Sequence, residues 1–138
     1  MGKYFRLLIV ILLFGSCTKE GIGSEYSLPI MELDARLPID SNGYYHLVLN
    51  QNSNQTIHRI TGKVENITEP TKVYWDSNLV WYFNGEEVPT INSVTYIGDM
   101  GEIDTVIAPI FGMRNDTLIV KATINEWKII QTLNIVLD

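Results

Sequence analysis

The chain has 138 residues, 46% of them apolar, and carries 10 basic against 16 acidic side chains for a net charge of −6. That balance excludes a protein that lives on nucleic-acid phosphates, where basic residues must dominate. With ten glycines, 19% charged residues and no low-complexity tract, collagen-like, coiled-coil and disordered classes are also excluded, and the length suits one domain.

The chain opens MGKYFRLLIVILLFGSC. Lys3 and Arg6 form a positive start, Leu7 to Phe14 is an unbroken apolar run of eight, and Gly15-Ser16-Cys17 closes it. Eight residues span only about 12 Å as a helix, against roughly 30 Å of bilayer hydrocarbon. The run therefore reads as the core of an export signal rather than a membrane span. Removing residues 1–16 takes Lys3 and Arg6 away and shifts the net charge from −6 to −8. Cys17 is the single cysteine, so it has no internal partner for a disulfide.

Phe14-Gly15-Ser16-Cys17 resembles the lipobox of bacterial lipoproteins, with Phe14 standing where Leu is more usual. The resemblance implies cleavage between Ser16 and Cys17 and acylation of Cys17. Several acyl chains, each methylene worth about 0.8 kcal/mol when buried, make such an anchor essentially permanent. Thr18 to Glu25 has two glycines and no periodicity and reads as a flexible tether. Lys19-Glu20 is similar, in part, to the surface-export signal of Bacteroidetes-type lipoproteins. The implied location is the outer membrane, with the cell surface and the periplasmic face both open. The expected organisation is a signal peptide at 1–16, a tether at 17–26 and one domain at 27–138.

From residue 43 onward the apolar period is two, the mark of half-buried strands. Asp40-Ser41-Asn42-Gly43 is a turn that launches a strand over Tyr44–Leu49. Thr56–Val64 follows, with His58, Ile60, Gly62 and Val64 on one face, and Pro70 ends the linker after it. Lys72–Asp76 places Val73 and Trp75 together, and Leu79–Phe83 runs into Asn84-Gly85, a type I′ hairpin signal. Ile103–Ala108, Thr117–Ile124 and Trp127–Leu137 complete the set, the last two joined through Asn125-Glu126. Seven to eight strands with a turn about every ten residues and no long helix predict an all-β sandwich. With Trp75 in a middle strand, the pattern resembles an immunoglobulin-like domain without its disulfide. The body as a whole resembles domains of Bacteroidetes-type envelope lipoproteins.

Chemistry-bearing motifs are sparse. His46 and His58 are the only histidines, each beside apolar neighbours, and read as structural. No His-Glu-x-x-His, Gly-x-Ser-x-Gly or phosphate-cradling glycine loop occurs. Asp99, Glu102 and Asp104 crowd one loop, but three carboxylates supply only part of a calcium shell, so the loop reads as solvated. Glu86, Glu87, Glu102 and Asp104 read as turn acids rather than a glycosidase pair. No enzyme, metal or cofactor is expected. Asp104-Thr105-Val106 and Asp116-Thr117-Leu118 resemble the acceptor triplet for O-glycosylation of exported Bacteroidetes proteins, which implies Thr105 and Thr117 as acceptors.

The strand Leu79–Phe83 is the sharpest feature. Leu79, Trp81 and Phe83 occupy one face and Val80 and Tyr82 the other, more than one sandwich core can bury. Its rings are the expected partner or glycan surface, with Trp81 as the exposed anchor. The expected function is a non-enzymatic accessory module docked on an outer-membrane protein assembly. The alternative is a carbohydrate-binding surface lipoprotein.

Overall fold

A computed structural model describes residues 27–138. The expectations for the signal, for Cys17 and for the tether lie outside the described residues. Among the described residues no helix is long and apolar enough to cross a membrane.

The body is all-β and sandwich-like. Its strands are β1 (Ile30–Asp34), β2 (Tyr45–Leu47), β3 (His58–Glu65), β4 (Lys72–Ser77), β5 (Val80–Phe83), β6 (Glu86–Pro89), β7 (Val94–Tyr96), β8 (Glu102–Ile107), β9 (Thr117–Ile124) and β10 (Ile129–Leu137). They form a three-stranded sheet β1-β3-β8, a five-stranded sheet β2-β10-β9-β4-β7 and a separate hairpin β5-β6. All pairs are antiparallel except β2 with β10, which run parallel at Tyr45–Leu47 against Ile135–Leu137.

Ten strands exceed the seven to eight expected, because β1, β6 and β7 were not foreseen. β6 is Glu-Glu-Val-Pro, in which all but Val88 are poor in strand propensity, and it is extended because the Asn84-Gly85 turn lays it against β5. Both turn residues have positive φ, +51° and +81°, as a type I′ turn requires. β7 is three residues long and exists as the edge partner of β4.

Period two sets the core. In β9, Leu118, Val120, Ala122 and Ile124 are fully buried while Ile119 and Lys121 face out. They meet Ile135 and Leu137 of β10, Val73 and Trp75 of β4, and the inward Ile60, Val64, Ile103 and Ile107 of the opposite sheet. Trp75 is only 3% exposed, and its indole N–H donates to Thr95 Oγ1 at 2.7 Å. Gly62 sits across from Leu33 and Ile103, and a Cβ there would lie 2.4 Å from the Glu32 carbonyl oxygen. The strand needs glycine at that point so that its neighbours can close over it.

Connections define two poles. The chain comes in at Leu28 beside Asn66, whose side-chain amide donates to the Leu28 carbonyl at 3.0 Å. The β3–β4 connection, the β7–β8 turn and the β9–β10 hairpin turn lie at this same N-terminal pole. The β1–β2, β2–β3, β4–β5 and β8–β9 connections lie at the distal pole.

Candidate functional site

At the distal pole β5 and β6 leave the five-stranded sheet. Their root is fixed by polar side chains. The buried Thr90 donates to the Leu79 carbonyl at 2.7 Å, Ser77 Oγ donates to the same oxygen at 3.1 Å, and the two hydroxyls lie 2.7 Å apart. Asn78 extends the β4–β9 ladder with its side chain, donating to the Thr117 carbonyl at 3.0 Å and accepting from the Ile119 N–H at 2.7 Å. Beyond that root the hairpin pairs only with itself, from Val80↔Pro89 to Phe83↔Glu86.

The structure separates the rings expected to act together. Leu79 and Trp81 are half-buried and pack on the core, whereas Tyr82 is 66% and Phe83 60% exposed. Trp81 is therefore not the exposed anchor that the sequence suggested, because it lies nearer the root of the hairpin, where that face meets the body, while Phe83 on the same face lies at the tip. Its indole nitrogen is buried and is the one such side-chain atom without a hydrogen-bond partner among the described residues. The Trp81 and Phe83 rings meet edge to face, 6.1 Å apart at 65°.

Trp81 and Phe83 form one wall of a groove of about 380 Å³, whose other lining residues are Ile110, Phe111, Gly112, Ser53 and Asn54. A single 3-10 turn, Phe111–Met113, anchored by the buried Met113, presents Phe111 to it. The Arg114 guanidinium lies 5.9 Å over the Phe111 ring, in range of a cation–π contact. The β2–β3 and β8–β9 connections meet the hairpin here, three segments distant in sequence. The local doublet Ile110-Phe111 carried no period by which sequence reading would have placed it at the site.

A larger depression, about 470 Å³, crosses the outer face of β1-β3-β8. Its lining alternates in sign, Glu32 and Asp104 with Arg59 and Lys63, and Arg59 reaches Asp104 at 3.6 Å. It is the saddle of a twisted, charge-laddered sheet, and no group in it converges on a ligand.

The remaining expectations have definite places. His58 is half-buried and its Nε2–H donates to the Ala35 carbonyl at 2.6 Å. His46 lies between two carboxylates, Nδ1 at 2.8 Å from Asp138 and Nε2 at 3.0 Å from Asp40. Those hydrogen bonds, Asp40 first and Asp138 second, raise the His46 pKa above its ordinary value, and the His46 bond is the leading cause that lowers Asp40. The two ring nitrogens point to opposite sides, so the carboxylates do not converge on a cation and neither nitrogen faces a nucleophile. Among the described residues no group of three or more His, Cys, Asp or Glu could hold a metal ion. The Glu102 carboxylate instead accepts from the Met100 N–H at 2.9 Å, capping its own turn.

Of the two acceptor threonines, Thr105 is 2% exposed and donates to the Asn92 carbonyl at 2.8 Å, so its hydroxyl is closed to a glycan in the folded domain. Thr117 is half-buried at the start of β9. Tertiary packing removes the first because Asp104-Thr105 alternates across a strand, with the threonine on the inner face.

No protein-family model matches the chain, and no curated protein matches it in sequence.

Proposed function

We propose that this chain is a non-enzymatic lipoprotein of the outer membrane, an accessory module that docks on an outer-membrane protein assembly through its aromatic hairpin. In this reading Cys17 is the acylated residue and the domain is immunoglobulin-like. The strand order supports that fold, since β1, β3 and β8 match strands A, B and E. Between β1 and β2 the chain crosses to the other sheet, where β2 pairs parallel to the last strand, β10, in the order β2-β10-β9-β4.

One observation carries the docking role. The hairpin β5-β6 stands outside both sheets and displays Tyr82 and Phe83 above an aromatic-lined groove. An isolated two-stranded hairpin is marginal by itself, and large aromatic rings are enriched where interfaces concentrate their energy. Confinement to a membrane raises the effective concentration of a neighbour, so even a modest interface suffices. The glycan alternative needs a flat platform for a sugar ring, whereas Trp81 and Phe83 stand at 65°.

Phe83→Ala and Tyr82→Ala tests the reading. Each variant should weaken capture of the co-purifying outer-membrane subunit from mild-detergent extracts, Phe83→Ala by about 2 kcal/mol. Wild-type capture by both variants would remove the hairpin from the interface. Cys17→Ala should release the protein from the membrane fraction, and unchanged sedimentation with membranes would remove the lipid anchor.

A further inference from the structure

Both poles expose large apolar side chains, the distal one at Ile39, Val48, Ile57, Tyr82 and Phe83, so the point where the chain enters has to distinguish them. Three separate tips at the N-terminal pole end in large apolar side chains: Leu28 at 78% exposed where the chain comes in, Met100 at 83% in the β7–β8 turn, and Trp127 at 51% in the β9–β10 turn. Ile130 and Tyr96, at 57% and 61%, continue this surface onto the outer face of the five-stranded sheet. None of them packs on the core. Exposed apolar side chains gathered at one end of a fold mark a contact surface.

The chain outside the described residues decides what covers them. Nine residues lie between Cys17 and Ser27, and the ten Cα-to-Cα steps reach no more than about 35 Å even fully extended. The chain joins the domain at Leu28, itself one of the exposed tips. We infer that the N-terminal pole rests on the bilayer, with Leu28, Met100 and Trp127 entering the headgroup region and the aromatic hairpin facing away at the distal pole. The inference rests on the proposed anchor at Cys17. Tryptophan favours the membrane–water interface, and leucine and methionine add apolar area beneath it.

Charge narrows the surface further. At this pole Glu65, Glu69, Asp99 and Glu126 outnumber Lys72 and Lys128, which is the opposite of the basic clusters that seek anionic lipid. The fitting surface is therefore a zwitterionic leaflet such as phosphatidylcholine or phosphatidylethanolamine.

The test uses the full acylated chain bound to phosphatidylcholine vesicles with brominated acyl chains, which quench indoles that enter the membrane. Three tryptophans report, Trp75 from the core, Trp81 from the distal pole and Trp127 from the N-terminal pole. Quenching should vanish in Trp127→Phe, persist in Trp81→Phe, and weaken in Met100→Gln without a change in melting. Adding phosphatidylglycerol should reduce it. A floating chain with unquenched Trp127, or quenching that disappears with Trp81→Phe, overturns the orientation while leaving the anchor in place. A wild-type chain that fails to float with the vesicles overturns the anchor and the orientation together.

Discussion

Trp75 and Trp81 are six residues apart and belong to consecutive strands, yet they live differently. Trp75 is 3% exposed inside the sandwich, and its N–H is matched to Thr95 Oγ1. Trp81 is half-buried beside a groove, and its buried N–H has no partner. The difference comes from the company each strand keeps. β4 lies between β9 and β7, so its inner face is sealed by a second sheet and its polar atoms find fixed partners. β5 has only β6, so Tyr82 on its open face stays in solvent and Phe83, at the tip of the face that carries Trp81, is only partly covered.

The contrast breaks most visibly at Trp75. Trp75→Ala should cost on the order of 3–5 kcal/mol, a large part of the roughly 5–15 kcal/mol available to a domain. Denaturant unfolding measures it, and a midpoint close to wild type would mean the ring is not part of the core. Next in size is Gly62→Ala. Its new Cβ would meet the Glu32 carbonyl at 2.4 Å and Leu33 Cδ2 at 2.9 Å, so the ladder must shift, at about 1–3 kcal/mol. Gly85→Ala sharpens the comparison, because its Cβ meets nothing within 4 Å and only the φ of +81° is strained. That strain of about 1–2 kcal/mol should fall on the hairpin and leave the melting of the two sheets nearly unchanged. A global loss as large as that of Gly62→Ala would show that the hairpin unfolds with the core.

Phe83→Ala should be smaller still in stability, within about 0.5–1 kcal/mol, because the ring is 60% exposed. Thermal melting beside the binding assay separates the two effects, and a large drop in melting temperature would place Phe83 in the core.

The least effect is a pH dependence at the distal pole. Both nitrogens of His46 touch carboxylate oxygens, and only the imidazolium can donate to both. Its folded pKa is raised from 6.5, so its stabilisation is full below that value and is lost as pH rises through the raised pKa. Asp40 is lowered from 3.8, so its share is present above 3.8 and is lost as pH falls through the lowered pKa. The clasp holding β2 on β10 is thus strongest in mildly acid solution. Melting temperature should fall from about pH 6 to about pH 9 more in wild type than in His46→Asn. Parallel profiles would remove His46 as the cause.

By itself the sequence determined the strands whose two faces differ. Thr117–Ile124 reads as drawn, because four inward apolar residues alternating with outward ones leave one solution. Asn84-Gly85 also determined its own turn, since both residues accept positive φ. Tertiary structure alone decided where a strand has no pattern of its own. Glu86–Pro89 is extended by its hairpin partner and Val94–Tyr96 by the edge of β4. The candidate site was half legible. An apolar strand with two apolar faces announced a surface, but which ring is exposed depends on where the hairpin leans. Phe111, Ser53 and Asn54 reach the groove through connections whose sequence carries no period. Burial of Thr105, and the meeting of His46 with Asp138, are likewise products of packing, because partners 92 residues apart are set by the fold that brings them together.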